Sequence, residues 1–454
     1  MNTTIARLGL LLWVLMFSTF SSRALSTLHS FATKSDGAQP YAGLVLGSDG
    51  IFYGTCFDGG TNDLGSIYKM TPGGALTLLY SFSFMDGQTP TARLVQGTDG
   101  NFYGTTFQGG SNFDYGTVFQ ISSDGAFNSL YSFTNGLDGA NPYAGLTQGA
   151  NGAFYGTTVN GGSNNNGTVF EITSTGSLTP LYSFTNGVDG SQPHAALTLA
   201  SDGLFYGTTF YGGSNHDGTI FQLTSAGALT PLHSFASASD GANPLGRLAA
   251  TTHGTLFGTA YDGGTNGCGT VFSITIAGVF TTLYAFTGGI DGANPAAGLA
   301  LGSDGNFYGA TYDGGPSGNG GLFKITPQGA LTPLYLFSGG DDGASSYATL
   351  VQGPDLDFYG TTQYGGAYGE GVVFKINALS TAPVMTSITL SDGTVGITWS
   401  GLPGRLFQAQ YTTNLTQTNW ISLGGPVAAT NGVASQTDIT PGPTQRYYRA
   451  YLMP

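Results

Sequence analysis

The chain carries few side chains suited to chemistry, and most of them recur at a fixed spacing. Glu171 and Glu370 are its only glutamates. Glycoside hydrolysis needs two carboxylates roughly 5–10 Å apart, but these two lie in different copies of a repeat, within "VFEIT" and "GEGVVF". His194, His216, Arg93 and Arg247 stand where the other copies hold other residues. Side chains that break a repeat are where an enzymatic site would have to be built, although each can equally be a solvated polar substituent. Cys56 and Cys268 fall in the first and fifth copies. They read as isolated thiols, too few for a cysteine-based zinc site.

Two further sets do repeat. The residue two places before a Gly-Gly pair is aromatic in five copies: Phe57, Phe107, Phe210, Tyr261 and Tyr312. Exposed, such rings stack on the apolar faces of sugars, and packing between neighbouring sheets is the competing use. An Asp-Gly pair also recurs, at Asp36, Asp86, Asp138, Asp189, Asp240, Asp291 and Asp342. Aspartate caps its own turn through a side-chain hydrogen bond. Calcium wants several oxygen ligands, and one Asp per loop falls short. No nucleophile elbow, phosphate-cradling glycine loop or zinc spacing occurs. The sequence therefore assigns no catalytic residue, no metal and no cofactor.

These residues are positioned by an internal repeat. "FYGT" occurs at 52, 102, 154, 205 and 358, with "LFGT" at 256 and "FYGA" at 307, so the shared glycine advances by 50, 52, 51, 51, 51 and 51 residues. Within one copy, "ARLVQG", "NFYGTTF", "TVFQI" and "AFNSLYSF" are β-branched or aromatic runs separated by "TDG", "QGGSNFDYG" and "SSDG". Runs bounded in this way read as strands. Four strands per fifty residues fits a propeller blade, with the aromatics of the FYG word packing between blades and its glycine allowing close approach.

The last copy ends at "GVVFKIN" without a fourth strand, whose word is "LYSF" at 79, 130 and 181, "LHSF" at 232, "LYAF" at 283 and "LYLF" at 334. The missing word stands at Leu28–Phe31 as "LHSF". The expected fold is all-β, a seven-bladed β-propeller over 27–377 closed by the N-terminal strand, since closure removes exposed strand edges. The long "GG" loops and the Asp-Gly connections then share one face. Loops of this kind carry function, so Phe57, Phe107, Phe210, Tyr261, Tyr312, His194 and Arg247 are the ligand-binding candidates, with His194 and Arg247 expected at the channel mouth.

Either side of the array the composition changes. Residues 1–26 read as a signal peptide, with Arg7, an apolar run from Leu8 to Phe17 and a small-x-small Ala24-Leu25-Ser26 cleavage site. The apolar run is shorter than the roughly 20 residues of a bilayer span, and the mature chain is expected to hold no transmembrane segment. After a linker at 378–384, residues 385–454 show about six alternating strands with Trp399 and Trp420 as core anchors, the spacing of a small β-sandwich. "TVGITWSG" and "RYYRAYL" resemble fibronectin type III modules.

Charged residues make up 8% of the 454 and the net charge is −14. Nucleic acid is disfavoured as a partner because phosphate backbones need clustered Lys and Arg, and polyanionic glycans and acidic membranes are disfavoured for the same reason. Aromatics at 13% point to a packed core. The pattern "DGANPAAGLALGSDGNFYGATYDGGPSGNGGLFKIT" at 291–326 resembles the GloVer-type tandem repeats of exported bacterial proteins. The resemblance covers Leu28 to Asn377 and implies export and a propeller-like array, with no established reaction. The expectation is a secreted or cell-surface monomer that binds a polysaccharide or a cell-surface protein through its long-loop face. A polysaccharide lyase or hydrolase acting at the channel mouth is the alternative.

Overall fold

A computed structural model describes residues 25–32, 36–377, 385–391, 394–400, 406–413, 420–428, 430, 433–439 and 446–452. All regular elements among them are strands. Each copy of the repeat forms one four-stranded antiparallel sheet. In the second copy Val95–Gln96, Phe102–Thr106, Thr117–Ile121 and Phe127–Ser132 pair in that order. Seven such sheets stand between Leu25 and Ile376. Six come from consecutive segments. The seventh combines Val351–Gln352, Phe358–Thr362 and Val372–Ile376 with Leu25–Ser30 from the opposite end of the chain.

In that last sheet Leu25 pairs with Ile376 and Ser30 with Val372. The Phe31 amide continues the ladder to the Gly371 carbonyl at 3.0 Å, and Thr361 Oγ1 donates to the Ala42 carbonyl at 3.0 Å. The strand therefore starts three residues before the expected Leu28. Leu25 and Ser26 are already paired, so cleavage after Ser26 would remove two residues of the ladder. The rest of the expected leader lies outside the described residues, as does the linker at 378–384.

The FYG word explains how one sheet meets the next. Its tyrosine lies against the phenylalanine of the following copy: Tyr53 on Phe102 at 3.9 Å between ring centroids, Tyr103 on Phe154 at 4.0 Å, Tyr155 on Phe205 at 4.2 Å and Tyr308 on Phe358 at 4.1 Å. Phe257 meets Phe307 at 4.1 Å, and Tyr206 packs in one cluster with Leu256. Tyr359 of the last copy then meets Phe52 of the first at 4.3 Å. The glycine is required by the third strand: a Cβ on Gly104 would lie 2.5 Å from the Phe119 ring.

Each Asp-Gly pair fastens the fourth strand to the connection that follows it. Asp138 accepts hydrogen bonds from the Tyr131 hydroxyl at 3.1 Å, the Thr134 amide at 2.8 Å and Thr134 Oγ1 at 2.6 Å. In the seventh and fourth sheets a histidine replaces the tyrosine, with His29 on Asp36 at 2.7 Å and His233 on Asp240 at 2.8 Å. These contacts are the turn-capping role. Cys56 and Cys268 are both free thiols, Cys56 buried.

Residues 385–452 contribute a three-stranded and a four-stranded sheet. Ile397 and Trp399 of one share a buried cluster with Phe407 and Ala409 of the other. Trp399 is fully buried, whereas Trp420, expected in the core, is half-buried with the Arg449 guanidinium 4.2 Å from its ring. A cationic partner that must itself reach water keeps that ring at the surface.

The pairing of the two ends makes a direct prediction. Phe31 is fully buried, while Phe84 is 46% exposed. Phe31→Ala should cost about 3–5 kcal/mol in chemical unfolding, and Phe84→Ala should leave the midpoint unchanged. Equal small effects would show that the end-to-end sheet contributes little.

Candidate functional site

A segment leads from each Asp-Gly connection into the two-residue innermost strand, as Thr91–Leu94 does into Val95–Gln96, and its alternate residues face opposite sides. Ala42, Ala92, Ala144, Ala195, Ala297 and Ala348 are buried in the wall. The residues on either side of them line one cavity of about 250 Å³ to which all seven innermost segments contribute. The lining falls into two layers. Nearer the long loops stand Tyr41, Thr91, Tyr143, His194, Leu245, Ala296 and Tyr347. Two residues further along come Gly43, Arg93, Gly145, Ala196, Arg247, Gly298 and Thr349.

The outer layer is aromatic on one side. Tyr41 stacks on Tyr347 at 4.2 Å and meets Tyr143 edge-on at 6.0 Å, their hydroxyls hydrogen-bonded to each other. Tyr143 in turn meets His194 at 4.7 Å. The other side holds only Leu245 and Ala296. Burial, with the neighbouring phenols second, pushes the Tyr41 hydroxyl far above the ordinary tyrosine range. Burial also lowers His194 to about 4. Its Nδ1 is buried with no hydrogen-bond partner.

The five loop aromatics singled out in the sequence are half-buried. Four of them pack around this layer. Phe57 lies 6.2 Å from Tyr41, Phe107 5.9 Å from Tyr143, Phe210 4.8 Å from His194 and Tyr312 4.5 Å from Tyr347. Burial, followed by Asp313 and Asp262, pushes the Tyr261 hydroxyl up to about 12. These four thus sit between the loops and the lining, each with its ring against an inner neighbour.

The other candidates lie apart. Glu171 accepts from Asn151 Nδ2 at 2.8 Å and from the Tyr155 hydroxyl at 3.1 Å, while Glu370 lies in a long loop, its carbonyl bound by the Gln39 amide at 2.8 Å. His216 is an exposed loop residue in the left-handed region, φ 63°. The site includes Tyr41, Tyr143 and Tyr347, which the sequence reading passed over. Their signal is the position after the proline of "DGANP", which reads Tyr, Thr, Tyr, His, Leu, Ala and Tyr across the seven copies while its surroundings hardly change. In the seventh copy Ser346 replaces the proline.

Among the described residues, no group of three or more His, Cys, Asp or Glu could hold a metal ion, and no helix is long and apolar enough to cross a membrane. The profile of a family described as the Gloeobacter/Verrucomicrobia repeat matches residues 14–216 and 194–414. The chain belongs to this family. No curated protein matches the chain.

Among solved structures, the chain is similar to the extracellular domain of a hybrid two-component system from B. thetaiotaomicron, with 13% identity and a TM-score of 0.52 over 95% of this chain and 55% of that one. The repeat protein thus spans about half the length of that structure. A protein described as a 6-phosphogluconolactonase from Bacteroides fragilis aligns at 17% identity and a TM-score of 0.48, over 73% of this chain and 98% of that one. A polysaccharide lyase of family PL25, an ulvan lyase, aligns at 8% identity and a TM-score of 0.47, over 75% and 94%. The first likeness supports a propeller-like all-β fold for the family member.

His194 gives the site a pH signature. Its folded-state value near 4 is below the ordinary 6.5, so the unfolded chain binds more protons between these values. The stability of the neutral imidazole is complete above about pH 6.5 and lost as pH falls towards 4. Wild-type protein should lose melting temperature between pH 7 and 4.5 more steeply than His194→Gln, and parallel curves would refute the burial of a neutral imidazole.

Proposed function

We propose that this is an exported, non-catalytic glycan-binding protein. In this reading residues 27–377 form a seven-bladed β-propeller closed by the N-terminal strand, and 385–454 form a fibronectin type III-like β-sandwich that acts as spacer or docking module. The glycan binds at the long-loop mouth of the central cavity. The observation that carries the reading is the cluster of Phe107, Phe210 and Tyr312 packed against Tyr143, His194 and Tyr347 around that opening. Such rings offer rigid apolar faces with hydroxyl and imidazole groups at their edges, the combination that receives the apolar face and rim hydroxyls of a pyranose.

A hydrolase at the same place has little support, because no carboxylate lines the cavity and the chemistry asks for two. A cavity of about 250 Å³ is below the roughly 300–1,000 Å³ that engulfs a drug-sized ligand. It suits one sugar residue entering from the face better than a chain threaded through.

The test is to screen the full mature protein against a polysaccharide panel, recording both retention and release of products. The triple variant Phe107→Ala, Phe210→Ala, Tyr312→Ala should weaken retention by about a hundredfold, each ring contributing around 1 kcal/mol. Retention untouched by the three changes would rule out this mouth. Products that accumulate with time would replace binding by the lyase reading.

A further inference from the structure

The inner layer of the cavity holds a feature that sugar stacking leaves unused. Arg93 and Arg247 are the only arginines between residues 27 and 377 of a chain with net charge −14. Both line the cavity, in the second and fifth sheets, two residues below the aromatic layer. No Asp or Glu is among the lining residues. Among the described residues neither arginine forms an ion pair, although Lys375 and Arg446 do.

Arg247 donates from Nε to Thr198 Oγ1 at 3.2 Å, and its side chain is otherwise open to the lumen. Arg93 is half-buried, and its Nε is buried with no hydrogen-bond partner. The wall backbones are close-packed at this level. A Cβ on Gly145 would lie 2.6 Å from the Arg93 carbonyl, and one on Gly298 2.6 Å from the Arg247 carbonyl. A Cβ on Gly43 would likewise lie 2.5 Å from the Thr349 carbonyl, so this close approach belongs to the wall as a whole.

Two guanidiniums that share a cavity without a counter-charge are costly, above all at Arg93, whose buried Nε loses water and gains no partner. They also repel one another: desolvation, with the charge of Arg247 second, lowers Arg93 to about 10. A structural role would be served better by a carboxylate beside them, and this acidic chain places none there. Guanidinium offers a planar fork of donors matched to a two-oxygen anion.

We infer that the inner layer receives a single anionic group, the carboxylate of an acidic sugar whose ring is held at the aromatic mouth above it. This rests on the glycan-binding reading and names its substrate class as a uronate. The expected aversion to polyanionic glycans is compatible with it, because the net charge opposes long tracks of phosphate or sulfate, whereas the cavity admits one group at a time.

The test compares methyl β-D-glucuronide, methyl β-D-glucoside and sodium sulfate by calorimetry on the full mature protein, at pH 7 and constant ionic strength. The glucuronide should bind at least about tenfold more tightly than the glucoside, the scale of a charge-assisted hydrogen-bonded pair. That preference should vanish in the double variant Arg93→Gln, Arg247→Gln, with glucoside binding kept. The double variant should melt no lower than wild type, because it removes uncompensated charge. Equal affinity for the two glycosides would overturn the uronate assignment and leave the mouth reading intact. Absence of binding by either glycoside would overturn both. Sulfate bound as tightly as the glucuronide would make this an inorganic anion site and overturn the assignment to a sugar. A double variant that melts well below wild type would show the arginines to be braces of the wall, with the same consequence.

Discussion

The architecture depends on contacts between aromatic rings of successive sheets. An isolated four-stranded sheet of this kind leaves both faces uncovered, and neighbouring copies cover them by placing Tyr53 on Phe102, Tyr103 on Phe154, and so on to Tyr359 on Phe52. The last contact returns to the first sheet, so the series has no free face at either end. Glycine at the centre of the same word lets the third-strand ring approach the backbone, as Phe119 does at Gly104. One four-residue word therefore sets both the spacing between sheets and the packing within them.

That regularity is also what makes the site recognisable. Seven near-identical sheets bring seven equivalent segments to one cavity, and what distinguishes one side of that cavity from another is the departures from the repeat. The departures are concentrated in the two lining layers: three tyrosines and a histidine on one side of the outer layer, and two arginines in the inner layer. The wall alanines between them stay small and buried because neighbouring strands approach closely there. Variation is permitted only where side chains point into open space.

Much of this could be read from the residues. The strand runs, the four-strand unit and the pairing of the chain start with Val372–Ile376 follow from the period and from the word missing at the end of the last copy. His194 and Arg247 were recognisable as breaks in the repeat. The three tyrosines were not, because Tyr is common throughout this chain and only alternation along the short segment before the innermost strand distinguishes a lumen position from a wall position. The isolation of Arg93 and Arg247 was also hidden, since a sequence shows which charges exist and not which stand alone. Trp420 misled for a related reason: a large ring suggests a core, but its guanidinium partner holds it at the surface.

The pairing of Leu25–Ser30 with Val372–Ile376 also sets an order of events during synthesis. The strand that completes the last sheet leaves the ribosome first and meets its partner only after some 350 intervening residues have been made, a loop closure of long sequence separation. Until then the nascent chain presents two unsatisfied edges, one at each end of a growing stack. Such edges invite pairing with other chains, so crowding of partly made copies is a hazard built into this order of assembly.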